Sequence, residues 1–170
     1  MDANMELRRP LDEIRSLLSE KGHFLTIQRP KFPNARFHHP EAVRNLGCYA
    51  EPETRFQVAA GFMGYAKGSH AYINILLPLV HCAMDKMCIA PPGTNRSNHR
   101  QDQTALNSIL CALNWTDVEE DVKWWLSSHI DDSQEALQPT ADPTDWNRLV
   151  VYTRREDPLK PYMGKLLHIT

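Results

Sequence analysis

The sequence predicts an α/β protein in which an incomplete mixed sheet is flanked by helices. Three observations carry this reading. Apolar residues recur at helical spacing in three separate segments, and two short apolar runs are bounded by proline or glycine as buried strands are. The elements also follow in the order helix, strand, strand, helix, helix, strand, with no internal repeat.

Taken in order, Pro10 suits a first helical turn, Leu11, Ile14, Leu17 and Leu18 share one face, and Gly22 supplies the stop. His23 to Gln28 (HFLTIQ) reads as a short strand closed off by Pro30 and Pro33. Residues 30–54 are rich in Pro, His and Asn and read as a long loop with at most a short helix from Pro40. Phe56 to Tyr65 (FQVAAGFMGY) is apolar and glycine-interrupted, the pattern of a buried strand that something approaches closely. Lys67-Gly68-Ser69 should cap a helix from about His70 to about Asp85. Its buried stripe is expected at Tyr72, Leu76, Leu79, Val80 and Ala83, with a kink at Pro78. After a polar loop, Asp102 opens a helix that turns Ala105, Leu106, Ile109, Leu110 and Leu113 inward. Trp115 to His129 is expected to be helical or mixed, anchored by Trp124 and Trp125. Residues 130–146, acidic and proline-bearing, read as a second loop, and Leu149 to Thr153 as a strand before a basic tail.

Composition narrows the function. A chain of 170 residues is the size of a single domain, and 19 Lys and Arg against 21 Asp and Glu give a formal charge of −2. Nothing in that balance attracts polyanions, so nucleic acid is not an expected partner. At 42% hydrophobic and 24% charged the chain is an ordinary globule. It has no apolar run near the roughly 20 residues of a membrane span, and its N-terminus has no apolar core of a signal peptide. Cys48, Cys82, Cys88 and Cys111 are compatible with one or two bridges and equally with four reduced thiols. A zinc site built from Cys82, Cys88, His81 and His99 ranks below both, because Cys82-x5-Cys88 lacks knuckle spacing.

Three constellations could carry chemistry. Asp2 and Asn4, at i and i+2, could share one hard cation that bridges two phosphates, although for the tripeptide alone a plain helix-leading turn is the preferred reading. Asn98-His99-Arg100-Gln101-Asp102-Gln103 crowds polar groups at a helix start, where free N–H groups favour anionic or hydroxyl-rich ligands. Asp102 could equally be the cap, accepting from the backbone N–H groups of Thr104 or Ala105. Ala59-Ala60-Gly61-Phe62-Met63-Gly64-Tyr65 would let a substrate lie against backbone, or simply pack strand on helix. A metal-dependent hydrolase using Asp2, His38 and His39 is a weaker reading. No nucleophile elbow, Walker loop or dinucleotide glycine fingerprint is present.

Taken together, the three segments resemble nucleotide-sugar glycosyltransferases of the GT-A fold, nearest to the glycogenin and bacterial galactosyltransferase group. Met1-Asp2-Ala3-Asn4 through Leu11-Asp12-Glu13-Ile14 is similar to that group's Asp-x-Asp and following helix. Ala59-Ala60-Gly61 through Lys67-Gly68 is similar to its Asn-Ala-Gly strand, and Asp102-Gln103-Thr104-Ala105-Leu106-Asn107 to its Asp-Gln-x-x-Leu-Asn helix start. The resemblance covers about the first two-thirds of the chain. It implies a partial GT-A-like fold and sugar transfer from a nucleotide-sugar donor, a UDP-sugar by resemblance, to a glycan or protein acceptor. Asp2 and Asn4 would hold Mn²⁺ or Mg²⁺, with His168 standing in for the group's C-terminal histidine ligand. Asp102 and Gln103 would face the sugar and acceptor, Gly61 and Ala60 would line the cleft, and His99 and Arg100 would offset donor charge.

Two departures follow. Asn4 stands where the group has a second aspartate, and Val151-Tyr152-Thr153 with Lys160-Pro161-Tyr162 looks like the C-terminal segment without its histidine. The group's nucleotide-binding half would precede Asp2, so residues 1–170 are expected to be a single acceptor-side portion of such an enzyme. A Golgi or secretory location would follow from an anchor in that preceding part, and a cytoplasmic one otherwise. A fold that binds partners without catalysis is the alternative.

Overall fold

The computed structural model describes residues 5–7, 9–28, 33–37, 39–49, 55–95, 97–120, 124–128 and 151–154. Mixed helix and strand, as expected, is organised around two sheets rather than one. Strand β1 (Met5–Leu7) opens the chain, followed by helix α1 (Asp12–Lys21) and strand β2 (His23–Ile27). Helix α2 (Pro40–Asn45) begins at the proline singled out above, and strand β3 spans Val58–Tyr65. A π-helical stretch, Tyr72–Leu76, runs into α3 (Leu77–Met84), with α4 (Lys86–Ile89) and α5 (Gln101–Ala112) after it. Strands β4 (Trp125–Ser128) and β5 (Val151–Arg154) are the last elements among the described residues. One sheet joins β1 antiparallel to β5 and β4 parallel to β5; the other pairs β2 with β3 antiparallel.

The β2–β3 pair is the middle of three layers. All five residues of β2 are buried, because helices cover both faces of the strand. On one face Phe24, Ala59 and Phe62 meet Ile14 of α1 and Trp124, with the Phe24 ring edge-on to both Phe62 and Trp124 at 5.2 Å. On the other, Leu25, Ile27, Val58 and Ala60 meet Ile75, Leu79, Leu106, Ile109 and Leu110. A strand buried on both sides cannot alternate apolar with polar residues, which is why HFLTI reads as a continuous run.

Helix α1 stops where a left-handed residue is required. Gly22 has φ 76°, and its carbonyl accepts from the Ser69 hydroxyl (2.8 Å) and the Ala66 amide (2.9 Å). Ser69 also accepts from the Tyr72 amide at 3.1 Å, so the expected cap at Lys67-Gly68-Ser69 is present. The buried stripe of the following helix differs by about one residue from expectation. Ala71, Ile75, Leu79 and Cys82 face the core, while Val80 is 44% exposed and Ala83 is exposed. The observed stripe keeps ordinary helical spacing, so the whole helix is turned by about one residue, bringing Ala71 and Ile75 rather than Tyr72 and Leu76 against the core.

Trp115 to Glu120 is not helical. Glu119 pairs in parallel with Thr26, accepting from the Ile27 amide (3.0 Å) and donating its own to the Leu25 carbonyl (2.7 Å). The open edge of β2 needs partners for its backbone, and this requirement outweighs local helix propensity. Both possible bridges form, Cys48–Cys111 between the end of α2 and α5, and Cys82–Cys88 between α3 and α4. The second removes the zinc reading, since its thiolates are committed. Residues 130–146 lie outside the described residues. No helix among the described residues is long and apolar enough to cross a membrane.

Candidate functional site

The start of α5 gathers most of the polar residues singled out from the sequence. Gln101 takes a φ of 40°, an uncommon conformation for a non-glycine residue, so the chain turns sharply between Arg100 and Asp102. The turn is held by Thr104, whose hydroxyl accepts from the Arg100 amide (2.8 Å) and donates to the Phe37 carbonyl (3.0 Å). Asp102 is exposed in the first helical turn and accepts from the Gln103 amide at 2.9 Å, not from Thr104 or Ala105 as a cap would. Its carboxylate thus faces outward at the positive end of a twelve-residue helix.

Gln103 points the other way, into the layer between α5 and the strands. Its side-chain amide donates to the Gln57 side-chain Oε1 at 2.7 Å and also to Oε1 of Gln28. Arg100 donates to the same Gln28 oxygen (3.3 Å), and its guanidinium lies 4.0 Å over the Phe37 ring. Gln28 and Gln57 are fully buried, at the end of β2 and just ahead of β3. The Gln57 amide nitrogen is buried with no hydrogen-bond partner among the described residues. Three neutral carboxamides and one guanidinium therefore converge among the described residues, offering both donors and acceptors.

Asn107, one turn further along α5, locks this arrangement. Its amide accepts from the Val58 N–H (2.8 Å) and donates to the Val58 carbonyl (3.0 Å) and the Gln103 carbonyl (2.7 Å). The side chain acts as a short piece of strand against β3. The Asp-Gln-x-x-Leu-Asn segment and the Ala-Ala-Gly strand, some forty positions apart in sequence, are joined by it. Beyond Asn107 along the same helix lies a cleft of about 360 Å³ between Arg55–Val58 and Asn114–Glu120.

The other expected residues are placed as follows. His99 is buried and faces α4, its Nε2 donating to the Ile89 carbonyl at 2.7 Å, while its Nδ1 is buried without a hydrogen-bond partner among the described residues. Burial holds its pKa below the usual histidine value; the Ile89 bond opposes this and the nearby His39 adds to it. Ala60 packs in the core beneath α5. Gly61 lies in an irregular part of β3, where a step of two residues from Leu25 to Ile27 is matched by five from Met63 to Val58. Asp2, Asn4, His38 and His168 lie outside the described residues. Among the described residues no three His, Cys, Asp or Glu side chains are grouped to hold a metal.

Sequence reasoning missed Gln28, Gln57, Phe37 and Asn107 as site residues. A glutamine directly beside each buried strand was the available signal, since a polar side chain ending an apolar run must find partners. No protein-family model, curated protein or solved structure matches the chain.

Proposed function

We propose that this chain is the acceptor-side portion of a GT-A-type glycosyltransferase. In this reading Asp102 and Gln103 at the mouth of α5 handle the sugar. One observation carries the reading. The strand and helix-start segments that resemble that fold meet through Gln103–Gln57 and Asn107–Val58. Their side chains also suit the ligand. Neutral carboxamides both donate and accept, as a polyhydroxylated substrate requires, whereas a charged cluster would favour phosphate or metal.

The roles divide by exposure. Asp102, exposed at the helix mouth, is placed to accept a hydrogen bond from a sugar or acceptor hydroxyl and to take a proton there. Gln103 and Arg100 orient the ring from below, held by Gln28, Gln57 and Phe37. A divalent cation in this reading would supply positive charge to offset the negative charge of the donor and the departing nucleotide. Its expected ligands Asp2, Asn4 and His168 lie outside the described residues, and no step is assigned to them.

The test is binding of free glucose, galactose, N-acetylglucosamine and their short oligosaccharides to the full chain, followed by calorimetry and by ligand-observed magnetic resonance. Asp102→Asn and Gln103→Ala should each weaken binding at least tenfold with folding intact by circular dichroism. Absence of binding to every sugar, or unchanged binding in both variants, would overturn the reading.

A further inference from the structure

Asn114-Trp115-Thr116 and Asn95-Arg96-Ser97 each place a hydroxyl residue two positions after an asparagine, with no proline between. This is the acceptor pattern for N-linked glycosylation, which on sequence alone occurs by chance too often to mean much. The fold supplies the discrimination. Asn107, the asparagine nearest in sequence, is buried and fully used, whereas Asn114 is exposed just past the end of α5 with φ 50°. Its side-chain amide makes no hydrogen bond among the described residues, and Thr116 is exposed beside it.

A second, independent observation concerns compartment. All four cysteines are paired, and one bridge, Cys48–Cys111, closes a separation of 63 residues and anchors the last turn of α5 three residues before Asn114. Disulfides of this kind form and persist where the surroundings are oxidising, the same surroundings in which N-glycans are attached. The chain also leaves room for the product. Asn114, Trp115 and Thr116 line the open cleft, and the Trp115 ring is fixed by stacking on His70 and by its N–H bond to the Asp117 carbonyl (3.1 Å). A glycan leaving Asn114 starts over this open rim and displaces no core side chain.

We propose that Asn114 is an N-glycosylation site. In the modifying step the Asn114 Nδ2 bonds to the anomeric carbon of an oligosaccharide carried on a lipid diphosphate. The bond from that carbon to the phosphate oxygen breaks, the diphosphate leaves with the electron pair, and one amide proton is released. Asn95 is a poorer acceptor in the folded chain, its Oδ1 being engaged by the Ser97 amide at 2.9 Å and by the Ser97 hydroxyl. The inference does not depend on the proposed transferase activity.

The experiment expresses the full chain behind a cleavable secretion leader in cultured animal cells and analyses chain from both medium and lysate. Peptide-N-glycosidase treatment in heavy-oxygen water marks each formerly glycosylated asparagine, and mass spectrometry of the peptides locates it. The expected result is marking at Asn114 that Thr116→Ala abolishes and Thr116→Ser retains. Marking confined to Asn95, an unmarked Asn114, or marking that survives Thr116→Ala would overturn the proposal. Thr116→Ala leaves Asn114 in place, so loss of folding in Asn114→Gln does not decide the matter.

Discussion

Replacing Asn107 should separate its structural part from its place in the Asp-Gln segment. In Asn107→Ala the Val58 N–H and carbonyl both lose their partner, while the Gln103 carbonyl keeps its ordinary helical bond. Each orphaned buried backbone group costs about 1–3 kcal/mol. Val58 lines the cleft, where water can reach part of it, so a total of about 2–4 kcal/mol is expected. Asn107→Asp keeps the acceptor for Val58 N–H but turns a carboxylate toward two carbonyls at a site only 1% exposed. An uncompensated buried charge raises that loss to about 3–5 kcal/mol at neutral pH. Burial against two carbonyl oxygens disfavours the ionised form of the introduced carboxyl, so its folded pKa lies above the unfolded value of about 3.9. A raised folded pKa means that stability is present below the unfolded pKa and lost as pH rises through the folded one. The deficit of Asn107→Asp relative to the native chain should therefore shrink toward pH 4, opposite to ordinary acid unfolding. Urea unfolding followed by far-ultraviolet circular dichroism between pH 4 and 8 measures both. A cost below about 1 kcal/mol for Asn107→Ala, or a pH-independent deficit for Asn107→Asp, would refute the strand-mimic argument.

Three further outcomes follow from the same structure. The chain-entropy relation gives about 4 kcal/mol for the 63-residue Cys48–Cys111 separation and about 2 kcal/mol for the 6-residue Cys82–Cys88 one. Each pair has one buried sulfur residue, so urea unfolding of the two double Cys→Ala variants should rank them in that order. Gly22→Ala places a Cβ 2.7 Å from the Ser69 Cβ at φ 76° and should cost clearly more than Gly68→Ala, which has φ 80° but nothing within 4 Å. The latter carries only the left-handed penalty of roughly 1–2 kcal/mol, and thermal unfolding of the pair checks the difference. Because His99 has a depressed pKa, the unfolded chain binds its proton first as pH falls below about 6.5. Its contribution is therefore complete above that value and lost below it, and His99→Gln, which can still donate to Ile89, should flatten the stability–pH slope there.

The legible parts of the fold are those set by local rules. Helix α1 announces itself by Leu11, Ile14, Leu17 and Leu18 and by a glycine at the left-handed stop, and Pro40 marks the first turn of α2. Strands β2 and β3 were legible as apolar runs because both their faces are covered, whereas β1 and β4, short strands joined through β5, were not. What was not legible depends on partners distant in sequence. Trp115 to Glu120 looks helical by composition, yet Glu119 is drawn into the unpaired edge of β2. The phase error at Val80 and Ala83 is a turn of the whole helix by about one residue, set by how Ile75, Leu79 and Cys82 pack against residues distant in sequence. At the site, Asp102 and Gln103 stood out as a polar pair at a helix start. Gln28 and Gln57 did not, because a single glutamine ending an apolar run leaves no periodic trace.

Helix α5 carries two kinds of constraint that bear on how the site could work. Its middle is core, with Ala105, Leu106, Ile109 and Leu110 buried, so it cannot rotate or slide without exposing apolar surface. Its start is fixed by Thr104 to Phe37 and by Asn107 to Val58, and its last turn by the bridge from Cys111 to Cys48. A rod restrained at both ends holds Gln103 and Asp102 at set positions relative to β3. Ligand recognition at its mouth then costs little ordering of the helix itself, and the ordering cost falls on what binds. Under the proposed reading, selectivity should accordingly reside in the exposed Asp102 rather than in Arg100, which is tied to Gln28 and Phe37. Changes at Gln28 or Gln57 would loosen the platform and alter stability together with binding.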